Sequence, residues 1–152
     1  TDEGKLYMCA FKDVCSGRIV GYAMSDRMTS ALAVRALDNA VAGRDHQGTI
    51  VHSDRGSQFR SRAFVARLKH HSMTGSMGRV GACGDNAMME SSFSLLQKNV
   101  LDRQRWRTRA ELTSRIVTWT ERTYHRRRRQ ARLGRLTPIE FELVFNTQAT
   151  AA

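Results

Sequence analysis

The chain has 152 residues, 41% hydrophobic and 26% charged, which bounds it to one globular domain able to bury a core and excludes a disordered or fibrous protein. Its net charge is +11, and seven arginines with no acid fall within residues 122–135, a lopsided distribution that points to a polyanionic partner. Cys9, Cys15 and Cys83 form no C-x-x-C pair and are not spaced with any histidine as a zinc set, and no run of about 18 uncharged apolar residues exists to span a bilayer.

In chain order, Leu6–Phe11 is an apolar run of strand length, Ser16-Gly17 supplies a turn, and Arg18–Met24 reads as the returning strand of an antiparallel hairpin. Thr29 is placed to cap a helix with an apolar stripe of Leu32, Ala33, Ala36, Leu37, Ala40 and Val41, ending at Gly43. Thr49-Ile50-Val51 is short and β-branched, a buried strand that delivers Asp54 to the turn Arg55-Gly56. Ser57 is the expected cap of the next helix, with Phe64 and Leu68 on one face. Residues 72–84 contain Gly75, Gly78, Gly81 and Gly84 and read as a loop, with a short strand near Met73. Asp85 then caps a helix of roughly 16 residues. On it Met89, Phe93, Leu96 and Val100 are expected to face the core, with Glu90, Ser94, Gln97, Lys98 and Leu101 on an adjacent face. A further helix is expected over about 109–125, with Leu112, Ile116 and Trp119 on one side. Thr137-Pro138 reads as an N-cap with proline at the first helical position. This order of elements gives a mixed α/β layer.

Asp54 and Glu90 carry the chemistry. Thirty-five residues separate them, one at the end of a strand and one on a helix. Such a pair can supply the oxygen ligands of Mg²⁺, which keeps several waters and clamps phosphate oxygens. The plainer readings are a turn-forming Asp before glycine and an ordinary charge near a helix N-terminus. Arg122, Tyr124 and Arg126, Arg127, Arg128 and Arg129 form a basic patch suited to DNA phosphates, and Lys98 lies two turns beyond Glu90, within reach of one more. Tyr124 could stack on a base, whereas Trp119 reads as core. His52 is expected to face away from Asp54. Asp13, beside the hairpin turn, reads as structural. No G-x-S-x-G or phosphate-loop motif occurs, which disfavours acyl transfer and nucleotide hydrolysis.

His52-Ser53-Asp54-Arg55-Gly56-Ser57-Gln58-Phe59 and Asp85-Asn86-Ala87-Met88-Met89-Glu90-Ser91-Ser92-Phe93 resemble the second and third acidic blocks of DDE transposases of the open-reading-frame-B type found in bacterial insertion sequences. The hairpin Asp13–Tyr22, and Tyr124, Arg127-Arg128, Leu133-Gly134, Thr137-Pro138 and Glu140-Phe141, resemble further blocks of the same family, in the same order. The resemblance implies an α/β, ribonuclease-H-like mixed sheet flanked by helices and lacking its first strand, with the family's first catalytic Asp falling before Thr1. It implies an integrase catalytic core over residues 1–145, including a basic helical region at 102–145, and a tail at 146–152. It further implies Asp54 and Glu90 as catalytic metal ligands, Mg²⁺ (Mn²⁺ as substitute) as cofactor, and DNA transposition and integration by cleavage and joining of strands. Transposon ends and target DNA are the implied partners of a homo-oligomer in the bacterial cytoplasm, associated with the nucleoid and without a membrane. With two of three carboxylates the chain is expected to be inactive and weakly stable alone; the alternative is a non-catalytic remnant or a DNA-binding and oligomerisation module.

Overall fold

The computed structural model describes residues 1–77 and 87–150, with side chains described as far as Asn146. The hairpin forms as expected: β1 (Tyr7–Lys12) pairs antiparallel with β2 (Ile19–Ser25), with an irregularity at Phe11/Lys12. Asp13 holds its turn, accepting from the Cys15 N–H at 2.9 Å and the Ser16 hydroxyl at 2.8 Å. That is the structural role the sequence suggests, and it is an Asx-type turn.

Helix α1 (Ser30–Val41) is capped by Thr29, whose side chain accepts from the Leu32 N–H. Its buried Leu32, Ala33, Ala36, Leu37 and Ala40 form the expected stripe. Small residues let it lie close on β2: a Cβ on Gly21 would stand 2.3 Å from the Ala40 backbone nitrogen, so only glycine fits there. The helix ends before Gly43, whose φ is +76°.

β3 (Ile50–Ser53) follows, then α2 (Ser57–Arg60), α3 (Arg62–His70) and β4 (Thr74–Met77). Ser57 does not cap the helix that buries Phe64 and Leu68. It opens the short α2, and Ser61 caps α3 by accepting from the Phe64 N–H. β4, the short strand expected near Met73, pairs parallel with β3.

Helix α4 (Ala87–Asn99) leads to a 3₁₀ turn at Leu101–Arg103 and then α5 (Arg109–Thr118). Asp85, the expected cap of α4, and most of the glycine-rich loop lie outside the described residues. The stripe expected on α4 is wrong in part. Ser92 and Leu96 are buried, while Phe93 is 39% exposed. The single helix expected over 109–125 changes character after α5: Trp119–Tyr124 is a π-helical turn, closed by the His125 N–H on the Thr120 carbonyl at 3.0 Å. This i→i−5 bond turns Trp119, Thr120 and Tyr124 all inward. Thr137 and Glu140 then form a capping box, each side chain accepting from the other's N–H. The helix it starts, α6, runs Pro138–Thr150, so it continues past residue 145.

Two clusters make the core, one on each face of β1. Cys9 packs with Leu32, Ala36, Leu37, Val51, Phe64 and Leu68. Met8 and Ala10 pack on the other face against Ile19, Leu96, Val100, Ile116, Trp119 and Tyr124. Successive strand side chains alternate in direction, so α1 and α3 cover one face and α4, α5 and the π-turn cover the other. The mixed sheet is present in two halves. Among the described residues β1 pairs with β2 and β3 pairs with β4, and no ladder joins the halves. No helix among the described residues is long and apolar enough to cross a membrane.

Candidate metal centre

Asp54 leaves the end of β3. Along that strand Val51 and Ser53 are buried while His52 and Asp54 are exposed, so His52 shares a face with Asp54 and does not oppose it, as the period of two requires. The Asp54 Oδ1 accepts from the Gly56 N–H at 2.7 Å, which fixes one oxygen of the carboxylate. A Cβ on Gly56 would meet that oxygen at 2.8 Å, so the turn that orients the carboxylate needs glycine.

Glu90 stands in the first turn of α4 and is exposed. What fixes that turn is Lys12. Its Nζ donates to the Met88 carbonyl at 3.1 Å and to the buried Ser92 hydroxyl at 2.5 Å, and lies 5.7 Å from the Tyr124 ring centroid. Lys12 and Ser92 thus occupy the side of α4 opposite Glu90, since two residues along a helix turn about 200°. Lys12 was missed from the sequence, although a lysine in register with Met8 and Ala10 on a strand face is a signal. Its charge is placed by a helix carbonyl, a hydroxyl and an aromatic face.

Asp54 and Glu90 line one groove of about 910 Å³. Among the described residues neither has a cationic partner. Two hard oxygen donors suit Mg²⁺ or Mn²⁺, which keep waters in the remaining positions. Among the described residues no group of three His, Cys, Asp or Glu is gathered closely enough to hold a metal, so the fit is that of a partial ligand set. Cys9 lines the same groove, where burial, with the Asp54 charge nearby, pushes its thiol up to about 11.

The basic patch divides. Arg126, Arg127 and Arg128 are exposed and form no ion pair with a described acid. Arg122 and Lys98 are also exposed. Arg129 is engaged with Glu140 at 3.1 Å and with the Arg135 carbonyl. Tyr124 does not belong to the patch at all. It is 1% exposed, and its hydroxyl donates to the Gly17 carbonyl at 3.0 Å, so no base can reach its ring. The π-turn is the reason, because it rotates Tyr124 into the core while Arg126 emerges outside.

Behind the patch, His125 is buried. Its Nε2 accepts from the Ile19 N–H at 3.1 Å and its Nδ1 donates to Glu121 at 3.2 Å. Burial holds its pKa below the usual histidine value, against the opposing pull of Glu121. Nearby, Glu142 binds Arg18 at 2.7 Å, Arg44 at 3.0 Å and the Ser16 hydroxyl at 3.0 Å. Burial raises that carboxyl, but Arg18 and Arg44 outweigh it and hold it below the usual range.

The integrase core domain family matches residues 1–83. The chain is 38% identical over 143 residues to the transposase InsF of insertion sequence IS3A from Escherichia coli K12, covering 93% of the chain and 50% of the transposase. It is also 38% identical over 145 residues to the transposase of the element IS629 from Shigella sonnei, covering 95% and 49%. The chain therefore spans about half the length of these curated relatives. Among solved structures, the HTLV-2 integrase catalytic core domain in complex with magnesium superposes with a TM-score of 0.70 over 93% of this chain and 87% of that one, at 16% identity. That likeness speaks to the fold alone, and the fold is ribonuclease-H-like. With more than half its length matched by the family, the chain belongs to the integrase core domain family.

Proposed function

We propose that this chain carries the phosphoryl-transfer chemistry of an insertion-sequence transposase, the cleavage and joining of DNA strands. The observation that supports the reading is that Asp54, at the end of β3, and Glu90, in the first turn of α4, both line one groove. The identity to two insertion-sequence transposases supports it. Asp54 and Glu90 would hold Mg²⁺ or Mn²⁺, which when bound neutralises charge on the phosphoryl oxygens. The Gly56 N–H orients Asp54, and Lys12 keeps the Glu90 turn in place. Exposed Arg122, Arg126, Arg127, Arg128 and Lys98 neutralise phosphates of transposon ends and target DNA, with the salt dependence that counterion release imposes. Assembly of copies on that DNA accords with the family.

The test is calorimetric titration of Mn²⁺ and Mg²⁺ into the chain, Asp54→Asn and Glu90→Gln, beside a nicking assay on labelled duplex DNA. Weak divalent binding lost in both variants supports the reading, and the chain alone leaves the duplex intact because its ligand set is partial. Binding unchanged by Asp54→Asn would overturn the site. A second reading, a non-catalytic DNA-binding module, draws on the absence of a third ligand among the described residues. It is favoured if DNA binds with a steep salt dependence while no divalent ion binds.

A further inference from the structure

We propose that the extended segment between α4 and α5 is a second docking surface for duplex DNA, gripping backbone phosphates with Arg103, Arg105 and Arg107 and partly screened by Asp2. The inference rests on the proposed DNA chemistry of this chain and adds to it a surface remote from the metal groove.

The charge of the chain is concentrated in one stretch. Residues 103–135 hold twelve arginines, no lysine and two acids, Glu111 and Glu121, so they account for +10 of the net +11. The arginines after the π-turn are only part of this. Arg103, Arg105, Arg107 and Arg109 stand at every second position ahead of α5. A guanidinium is a planar fork that matches phosphate oxygens two at a time, which an ammonium does not. A stretch that uses arginine alone therefore suits phosphates better than it suits mere solvation.

Trp106 sets the geometry of the row. It is buried, its indole N–H donates to the Leu101 carbonyl at 3.1 Å, and its own carbonyl accepts from the Asp2 N–H at 3.0 Å. Gln104 and Thr108 on either side have extended backbone. Neighbours in an extended run alternate in direction, so burying Trp106 turns Arg105 and Arg107 outward, about 6.6 Å apart. Both are exposed, as is Arg103. Arg103 and Arg107 form no ion pair with a described acid. Arg105 pairs with Asp2 at 2.8 Å, the two side chains being 85% and 43% exposed. A pair so open to water holds weakly, and a phosphate can displace the carboxylate. Arg109 is engaged elsewhere, its Nε donating to the Lys5 carbonyl at 2.9 Å.

The row is separate from the sites already described. None of residues 103–109 lines the groove of Asp54 and Glu90, and α4 runs about 14 Å from Glu90 to its end at Asn99. On the other side α5 puts about 15 Å between the row and the π-turn that leads to Arg126. At about 3.4 Å of rise per base pair, that is four to five base pairs of duplex.

The probe is a fluorescent DNA duplex of about 20 base pairs, titrated by anisotropy with the whole chain across roughly 0.05–0.2 M salt. Each phosphate contact adds about 0.9 to the slope of log affinity against log salt. Arg103→Gln/Arg105→Gln/Arg107→Gln should lose up to about 2.7 of that slope while circular dichroism stays unchanged. The matching triple lysine variant should keep the slope and bind more weakly than the parent. Asp2→Asn should bind about twofold tighter, as removal of an exposed competing carboxylate implies. Should the glutamine triple unfold, Arg107→Gln alone decides, with an expected loss of about 0.9. Arg126→Ala/Arg127→Ala/Arg128→Ala is the reference. If that variant weakens the duplex while the glutamine triple leaves slope and affinity as in the parent, the row has no phosphate contact and the proposal is overturned, with the DNA reading of the chain intact. If the parent itself binds no duplex, both fall together. Displacement of the duplex by hexaglutamate at equal concentration, lost in the glutamine triple, would also overturn it by making an acidic protein the partner.

Discussion

Replacing Tyr124 by phenylalanine separates the two roles a tyrosine beside four arginines can have. The ring is 1% exposed and its hydroxyl reaches the Gly17 carbonyl, 107 positions away in the chain. The substitution keeps the ring and deletes one hydrogen bond, which leaves a buried carbonyl unpaired and costs about 1–2 kcal/mol. For a chain of this length, 1 kcal/mol is about 2–4 °C, so melting should fall by about 3–6 °C. Tyr124→Ala also removes the ring from its contacts with Trp119 and His125 and should cost about 3–5 kcal/mol. The assay is calorimetric melting paired with DNA affinity by anisotropy, using Arg126→Ala/Arg127→Ala/Arg128→Ala as the variant that loses affinity without losing stability. Tyr124→Phe should melt lower and bind DNA as the parent does. An unchanged melting temperature with weakened DNA binding on Tyr124→Phe would refute the burial argument and return the residue to the DNA surface.

Three further predictions follow from packing and charge. His125 accepts from the Ile19 N–H, so the fold needs it neutral, and its pKa is lowered below the ordinary 6.5. As pH falls through 6.5 the unfolded chain takes a proton that the folded chain refuses, so stability should hold above about pH 7 and decline below it by up to about 1.4 kcal/mol per unit. Urea unfolding at pH 7.5 and 5.5 measures this, and His125→Gln should flatten the difference. Gly21→Ala forces a methyl into the Ala40 backbone and should cost about 3 kcal/mol or more by pushing α1 off β2; a denaturant midpoint equal to the parent's would contradict the close approach. Lys12→Met should speed exchange of the amides in the first turn of α4, where Met88 and Ser92 lose their donor. Lys12→Arg should restore part of the protection, and equal exchange in all three proteins would deny Lys12 its positioning role.

The local signals in this sequence translate directly into structure where the partner is close in the chain. Thr29, Thr137 and the Ser16-Gly17 turn act within three or four residues, and each does what its type dictates. The strand carrying Asp54 is legible for the same reason, since a β-branched triplet before Asp-x-Gly has few alternatives. Partnerships across the chain are not legible. Ser92 is buried where Phe93 was expected because Lys12, 80 positions away, supplies a polar partner on that face. Tyr124 reads as part of a cationic patch because it stands between Arg122 and Arg126 in the chain. One wider turn rotates it into the core, and no propensity marks a π-turn. The two halves of the sheet are likewise invisible to a pattern that records strands and not their neighbours.

Glu142 and His125 act at opposite ends of the sequence from the hairpin they secure. The turn at Asp13–Arg18 and the start of β2 depend on an ion pair and an imidazole contributed more than 100 residues later. A ribosome making this protein releases the hairpin long before those groups exist. The ladder between β1 and β2 is local, but the contacts that secure its turn close only after residue 142 has emerged. Contacts of that sequence separation slow folding and prolong exposure of strand edges. The turn of the hairpin is therefore among the last parts of the sheet to be fixed as the chain is made, although its residues are made early.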